Sequence, residues 1–270
     1  MGATTSPNAA GWYKNAVDNE FKAADGVSGF SGHSDPYNFT KSSGTQEGNA
    51  VTIASGQVTD EAGNNAASIN SAAFKIDLSD PTNVQFVGGP AASGSYDFGD
   101  TPAKPTCTAD DAVSGVASCE VTGYSTDVGS HTMTATATDN AGRTATATRS
   151  YTVKAWTFKG FYQPVDMNGV YNTVKGGSTV PLKFELFKGT TELTDTANIK
   201  SLQATKVTCT SGAPIDDIET VATGGTSLRY DSTGGQFIYN WKTPTGAGTC
   251  YKVTVTAQDN STITAYFKMK

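Results

Sequence analysis

Few side chains in this sequence have the types and spacing that catalysis requires. A serine hydrolase needs a nucleophile on a tight turn and a histidine base, but no Gly-x-Ser-x-Gly segment occurs. Of the two histidines, His131 begins a predicted strand and is interpreted as a surface residue. His33 lies in a loop of small residues, and its use as a base is the weaker alternative. The sequence therefore predicts no catalytic residue and a protein that is not an enzyme.

Paired carboxylates are the next candidates for chemistry. They occur at Asp110-Asp111 and at Asp216-Asp217-Glu219. Adjacent residues of a strand point to opposite faces, so neither group can flank a glycosidic bond by itself. We interpret both groups as turn and solvation residues.

Calcium at a joint between domains is the most serious metal candidate. Asp77, Asp80, Asp139 and Asn140 carry the oxygen atoms that calcium prefers, and they could approach such a joint. The sequence has no EF-hand loop, and its histidines are far from its cysteines, so zinc spacing is also missing. We assign no metal ligand and no cofactor, and joint calcium stays the alternative.

The four cysteines are Cys107, Cys119, Cys209 and Cys250, and none of them forms a CxxC pair. An even count in small β domains predicts two disulfides, most simply Cys107–Cys119 and Cys209–Cys250. On the loop-entropy model these bonds contribute roughly 3 and roughly 4 kcal/mol. Four buried free thiols are the alternative. Disulfides predict an extracellular location, either secreted or at the cell surface.

Aromatic residues are the candidates for binding a carbohydrate, because sugars stack on exposed Trp and Tyr rings. Phe237, Tyr239 and Trp241 share one face of a predicted strand, which we interpret as core. The candidate ligand-binding residues lie near predicted domain edges: Trp12, Tyr13, Trp156 and Tyr162. Sealing the joints is the alternative role for these four side chains.

Composition limits the classes of partner. Charged residues are 16% of the 270, the net charge is −6, and no Lys/Arg run is available to neutralise phosphates. We therefore expect no nucleic-acid partner. No apolar stretch is long enough to span a bilayer, so we expect no membrane insertion. The partners left are a polysaccharide or cell-surface polymer and the neighbouring domains of a longer chain.

The elements that must position these residues are strands. Apolar residues alternate with Thr over 132–138, and a similar alternation runs over 144–153. Asp139-Asn140-Ala141-Gly142 between them predicts a hairpin turn. Further strands are predicted at 178–187, 204–210, 236–243, 251–257 and 262–269. Pro181 lacks an N–H, which predicts an edge or bulged strand.

Two motifs recur in the same order and define an internal repeat. Residues 25–30 match 111–116, and residues 58–67 match 137–146. The chain is predicted to contain domains at 1–80, 81–155 and 156–270. The first lacks the cysteine pair of the second, and its short leading strand predicts a fragment of a longer chain.

The first two domains resemble bacterial immunoglobulin-like repeats. The resemblance rests on Gly11–Asn15, Thr59–Asn64, Ile76–Thr82, Thr138–Gly142 and the two matching Ser-Gly corners. It implies three tandem immunoglobulin-like β-sandwich domains in an all-β chain, of the kind found in secreted and cell-surface actinobacterial proteins. Such repeats serve as spacers, adhesive stalks or accessories to secreted hydrolases.

The third domain resembles the PxKF domain through Pro181-Leu182-Lys183-Phe184, with support from 160–166, 172–180 and 235–243. This resemblance implies an extracellular β-sandwich and little chemistry. The predicted function is a non-catalytic stalk, spacer or adhesive element. One alternative is an accessory carbohydrate-binding or polymer-binding module of a secreted hydrolase. A second alternative is a surface decoration domain of a phage or virion.

Overall fold

A computed structural model describes residues 2–211, 213–217 and 227–270, with only the backbone of Asp217. Glu219, from one of the carboxylate groups considered above, lies outside the described residues. The described chain is all-β, with one short 3-10 helix at Thr196–Asn198. No helix in this part of the chain has the length and apolar character needed to cross a membrane. The predicted all-β class is confirmed.

The chain divides into two compact units. Unit 1 contains Met1–Ala92, Pro102–Tyr124 and Thr132–Ser150. Unit 2 consists of three further segments, which are Ser93–Thr101, Ser125–His131 and Tyr151–Lys270. The division into three domains stays a prediction.

The strands up to residue 154 are short at first and then long. They are β1 (Trp12–Tyr13), β2 (Asp18–Ala23), β3 (Tyr37–Ser42), β4 (Gly48–Val51), β5 (Val58–Thr59), β6 (Asn65–Ala66), β7 (Phe74–Ile76), β8 (Thr82–Val87), β9 (Gly94–Asp97), β10 (Thr106–Asp110), β11 (Val116–Thr122), β12 (Gly129–Asp139) and β13 (Thr144–Lys154). The last two strands carry residues of both units.

The sheets of unit 1 are small. Strand β7 pairs in parallel with β1 and antiparallel with β4, and antiparallel pairs join β2 to β3, β5 to β6 and β8 to β10. Antiparallel pairing also joins β11 to β12, and β13 is the next strand in that sheet. A core of buried apolar side chains lies under the first strands: Val17, Phe21, Val51, Ile53, Phe74 and Ile76. Alternation buries Met133, Ala135 and Ala137 on β12, as the Thr/apolar pattern predicts.

The remaining strands belong to unit 2. They are β14 (Thr157–Tyr162), β15 (Tyr171–Val174), β16 (Thr179–Lys188), β17 (Thr191–Glu192), β18 (Ile199–Val207), β19 (Ile215–Asp217), β20 (Leu228–Asp231), β21 (Gln236–Lys242), β22 (Cys250–Ala257) and β23 (Thr262–Met269). One sheet has the order β14-β16-β21-β20, with β17 also on β16, and the other has the order β18-β22-β23-β15-β19.

Side chains from both of these sheets form one core. On β16, Val180, Leu182, Phe184 and Leu186 are fully buried, and they join Phe267 and other residues of the second sheet in one apolar cluster. Phe237 and Trp241 belong to the same cluster and Tyr239 packs against it, so this aromatic face is core as predicted.

The prediction of an edge or bulged strand at Pro181 is wrong. Strand β16 is not an edge strand, because β14 and β21 flank it. The register to β14 shifts between Gly160 and Tyr162, opposite Phe184 and Lys183, so the extra residue of this irregularity lies in β14 and not in the strand of Pro181. Pro181 itself pairs with Asn240 of β21 and lies beyond the last pair to β14. The missing N–H of Pro181 therefore costs no hydrogen bond to β14.

Both predicted disulfides are confirmed. Cys107 bonds to Cys119, between β10 and β11, and Cys209 bonds to Cys250 at the start of β22. The four cysteines are therefore not free thiols.

Candidate metal centre

Three aspartates of unit 1 converge from the ends of three strands. Asp77 follows β7, Asp111 follows β10, and Asp139 is the last residue of β12. One carboxylate oxygen from each lies within 4.8 Å of the others. Asp77 and Asp139 are 0% and 2% exposed, and Asp111 is half-buried. Side chains far apart in sequence thus form one acidic cluster.

Asp139 has one oxygen held by the backbone and one without a partner. Its Oδ1 accepts hydrogen bonds from the N–H groups of Ala141, Gly142 and Arg143 at 2.8, 2.7 and 2.9 Å. This hairpin turn brings the three donors to one atom, with Gly142 at a φ of 89° that favours glycine. Oδ2 of Asp139 is buried and has no hydrogen-bond partner.

Asp111 has a similar turn. Its Oδ1 accepts from the N–H groups of Val113, Ser114 and Gly115 at 3.3, 2.9 and 2.6 Å. Aspartate favours such turns because its short side chain reaches N–H groups a few residues ahead. The backbone donors again converge on one oxygen atom of the carboxylate.

Asp77 joins the end of β7 to the Asp111 turn. Its Oδ1 accepts from the Ser79 N–H at 3.0 Å, and its Oδ2 accepts from the Ser114 N–H at 3.1 Å. The Ser114 N–H is therefore shared between Asp77 and Asp111. The backbone N–H of Asp77 donates to the Tyr13 carbonyl at 2.9 Å, which fixes the residue to β1 as well.

Basic side chains do not neutralise the cluster. Among the described residues, the ion pairs leave out all three aspartates. Arg143 directs its Nε to Asp80 at 2.9 Å and its guanidinium to the Lys14 carbonyl at 2.9 Å. Coulomb repulsion at such separations is on the order of 3 kcal/mol for each pair of carboxylates at an effective dielectric of 20. A bound cation would remove this repulsion.

The four residues considered for joint calcium are divided by the structure. Asp77 and Asp139 belong to the cluster, whereas Asp80 pairs with Arg143. Asn140 directs its Nδ2 to the Ser114 and Gly115 carbonyls at 2.8 and 3.0 Å. It therefore clamps the two turns together, and calcium binding itself stays a prediction.

Sequence reasoning missed Asp111, which was interpreted as a turn and solvation residue. The turn role is correct, but the side chain also faces Asp77 and Asp139. The available signal was the repeat, because Asp25 and Asp60 of the first copy correspond to Asp111 and Asp139 of the second.

The corresponding pair in the first copy is an acidic pair without a third member. Asp25 Oδ2 accepts from the Ser28 hydroxyl at 2.6 Å, from the Ser28 N–H at 2.9 Å and from the Gly29 N–H at 2.8 Å. The Ser28 side chain is the main reason that the pKa of Asp25 lies below its ordinary value. A hydrogen bond from the Asn64 side chain chiefly lowers the pKa of Asp60. The group formed by Asp77, Asp111 and Asp139 is the one group of three such residues in the described chain.

Two of the candidate ligand-binding residues lie in unit 1. Trp12 is 6% exposed, and the Lys75 Nζ lies 5.9 Å from the centre of its ring. The half-buried Tyr13 packs edge-on against Phe74 at 5.7 Å. The residues beside them, Pro7 to Asn8 and Ala141 to Gly142, line a groove of about 460 Å³ together with these two rings.

The other two candidates, Trp156 and Tyr162, lie in unit 2. Trp156 is 9% exposed, its backbone N–H donates to Asp259 at 2.6 Å, and its Nε1 donates to the Phe98 carbonyl at 3.1 Å. Burial, helped by a hydrogen bond to Glu185, raises the pKa of Tyr162 to about 12. The structure gives these residues packing contacts, and a ligand-binding role stays a prediction.

Both histidines have local partners. The ring of His33 stacks on Tyr37 with 4.0 Å between ring centres. His131 places Nε2 2.6 Å from the Asp127 carbonyl oxygen and packs its ring against Tyr151 at 5.3 Å. These contacts give each imidazole a structural role.

Comparisons with known proteins name no family. Scans against protein-family models and against curated proteins found no match. Among solved structures, a chimeric titin Z1Z2-Z1Z2 tandem matches at 15% identity and a TM-score of 0.23, over 69% of this chain and 97% of that one. The protocadherin GammaB4 extracellular domain matches at 10% identity and a TM-score of 0.26, over 100% of this chain and 47% of that one.

A third solved structure is SGBP-B of a Bacteroides ovatus glucan utilization locus, in complex with a mixed-linkage heptasaccharide. It matches at 11% identity and a TM-score of 0.19, over 100% of this chain and 66% of that one. At scores this low, no conclusion about function rests on these similarities. The resemblance to immunoglobulin-like repeats and to the PxKF domain stays a prediction.

Proposed function

We propose that this chain is a non-catalytic module of an extracellular protein and acts as a stalk, spacer or adhesive element. The observation that carries the proposal is the packing of Trp12 and Trp156. Both tryptophans are less than one-tenth exposed, and Trp156 donates both of its N–H groups to atoms of its own unit. A sugar-stacking platform needs exposed ring faces, whereas these rings support the fold.

An extracellular location has independent support from the disulfides. Cys107–Cys119 and Cys209–Cys250 account for every cysteine of the chain. Disulfides form and persist in oxidising compartments, and thiols stay reduced in most cytosolic proteins. The resemblance to repeats of secreted and cell-surface proteins favours the same location.

An accessory polymer-binding module is the second candidate, and a groove in unit 2 favours it. Tyr171, Lys252 and Tyr266 line a space of about 460 Å³, and the two tyrosine rings lie 5.5 Å apart. Aromatic side chains with a few polar groups beside them are the usual lining of a ligand site. Tyr171 is only 5% exposed, so Tyr266 supplies most of the accessible ring surface.

A glycan array combined with pull-down on insoluble polysaccharides tests the two candidates. The stalk proposal predicts no saturable retention of the wild-type protein. Saturable binding that Tyr266→Ala abolishes and Tyr266→Phe retains would replace the stalk proposal with the second candidate, because phenylalanine keeps the stacking ring. Tyr13→Ala and Tyr13→Phe make the same comparison at the groove beside Trp12.

A further inference from the structure

We infer that Asp77, Asp111 and Asp139 of unit 1 bind a calcium ion. The three carboxylates place one oxygen each within 4.8 Å of the others, and two of these side chains are buried. Acidic residues often cluster on protein surfaces without a metal ion. The burial of Asp77 and Asp139, and the lack of a basic partner among the described residues, set this cluster apart from such surface groups and favour a bound cation.

Asp139 supplies the independent observation that points to a cation. Its residue is 2% exposed, and its Oδ2 has no hydrogen-bond donor, although Oδ1 accepts three. A buried carboxylate oxygen without a partner is costly, because it has lost water and gained nothing in return. A metal ion at the centre of the three carboxylates would supply the missing partner.

The turns leave oxygen atoms free for an ion while they hold each carboxylate in place. Three backbone donors occupy Oδ1 of Asp139, and three occupy Oδ1 of Asp111. Asp77 accepts one hydrogen bond on each of its two carboxylate oxygens, so each of these two atoms keeps a second lone pair for an ion. This is a preorganised set of donors, since little side-chain freedom is left to lose on binding.

Donor type favours a hard divalent cation, and the spacing is compatible with calcium. All three donors are hard oxygen atoms, which suit calcium and magnesium better than zinc. Calcium–oxygen distances of about 2.3–2.6 Å allow two ligands of one ion to lie up to about 5 Å apart, whereas magnesium requires them within about 4.2 Å. The three carboxylate oxygens lie within 4.8 Å of one another, a separation that one calcium ion can bridge. Backbone carbonyls and water can complete the shell.

Binding would couple the two copies of the repeat. Asp77 directly follows strand β7 of the first copy, whereas the Asp111 and Asp139 turns belong to the second. Residues 77–81 connect the two copies. An ion held by all three aspartates would fix the start of this connecting segment to the Asp111 and Asp139 turns. Calcium would thereby stiffen this part of unit 1.

A thermal melt of the whole chain with calcium or with a chelator tests the inference. For a dissociation constant near 10⁻⁴ M, as in extracellular modules, 10 mM calcium raises the melting temperature of unit 1 by about 5–10 °C. Magnesium at the same concentration is expected to give a smaller shift. Terbium luminescence excited through Trp12 and Tyr13, which lie beside the Asp139 turn, gives a second readout of occupancy.

Asp111→Asn is the diagnostic variant, because Asp111 is half-buried and its amide can still accept the turn hydrogen bonds through Oδ1. It should weaken calcium affinity at least about tenfold, since affinity follows the number of charged ligands. Asp110→Asn is the matched control, because it removes one negative charge at the neighbouring position. The Asp110 side chain is exposed and accepts a hydrogen bond from Asn83 instead of facing the cluster. It should bind calcium like the wild type.

Two outcomes would overturn the inference. One is a wild-type melting temperature that calcium does not raise, and this result is independent of any variant. The other is equal loss of affinity in Asp111→Asn and Asp110→Asn, which would show general attraction to a negative surface. Glycan binding in the array described above would overturn the stalk proposal and leave the calcium inference intact.

Discussion

The Oδ2 of Asp77 accepts a hydrogen bond from the backbone N–H of Ser114 at 3.1 Å, across 37 residues of sequence. The contact ties the residue after β7 to the Asp111 turn of the second repeat copy. Asp77 is fully buried, so its carboxylate cannot readily exchange this bond for one to water. The end of one copy is therefore built into the beginning of the next.

Asn140 is predicted to hold the two turns of the cluster together. Asn140→Ala removes hydrogen bonds to the Ser114 and Gly115 carbonyls, so we expect a loss of about 1–2 kcal/mol in the free energy of unfolding. Urea denaturation with a chelator present measures this loss. Asn15→Ala, at an exposed asparagine, is the control and should change stability by less than about 0.5 kcal/mol. Equal effects of the two substitutions would contradict the clamp.

Ser28 is predicted to control the titration of Asp25. Ser28→Ala should raise the pKa of Asp25 towards its ordinary value of 3.8, because the Ser28 hydroxyl is the main cause of the lowering. Carboxyl carbon NMR against pH measures the shift. Since the pKa is lower in the folded state, the contribution of Asp25 to stability is present above pH 3.8 and is lost as the pH falls below it.

The control for this titration is Ser31→Ala, which changes an exposed serine of the next turn. It should leave the Asp25 titration as in the wild type. An unchanged Asp25 titration in Ser28→Ala would show that the hydroxyl does not stabilise the ionised form.

The alternation along β16 predicts different losses of stability for substitutions at neighbouring residues. Leu182 is fully buried in the core of unit 2, so Leu182→Ala should cost about 2–5 kcal/mol. Lys183 faces the other side of the strand and is part-exposed, so Lys183→Ala should change stability by about 0.5 kcal/mol or less. Guanidinium denaturation of both variants tests the register, and a reversed order of the two losses would refute it.

The disulfides are predicted to shorten the chain under force. Cys209–Cys250 closes 41 residues, so reduction should add about 140 Å to the contour length when the chain is pulled from both ends. Cys107–Cys119 closes 12 residues and should add about 40 Å. Cys209→Ser and Cys107→Ser separate the two steps in single-molecule pulling. Equal lengths before and after reduction would show that the bonds do not form.

Local patterns in the sequence predicted much of the fold. Alternation placed β12, β13, β22 and β23 within a few residues of their observed ends, because each of these strands buries mainly one face. The Asp139 to Gly142 turn was also predicted, since its residue types suit a hairpin. The disulfides followed from the even count of cysteines and the simplest pairing.

Contacts that depend on topology could not be predicted in this way. The parallel pairs of β1 with β7, of β9 with β13 and of β15 with β23 have no local signature. The acidic cluster depends on the same kind of information, because Asp77, Asp111 and Asp139 meet only once three strand ends are brought together. Local spacing made Asp80 and Asn140 look equivalent to Asp77, and the fold gives each of them a different partner.

The measurement that tests the calcium centre most directly is a crystal structure grown with calcium, with anomalous diffraction recorded. We predict an anomalous peak among the carboxylates of Asp77, Asp111 and Asp139, with oxygen distances of about 2.3–2.6 Å. Oδ2 of Asp139 is expected among the ligands, since it has no other partner. A map without that peak, with an ordered water bonded to Oδ2 of Asp139 instead, would contradict the account.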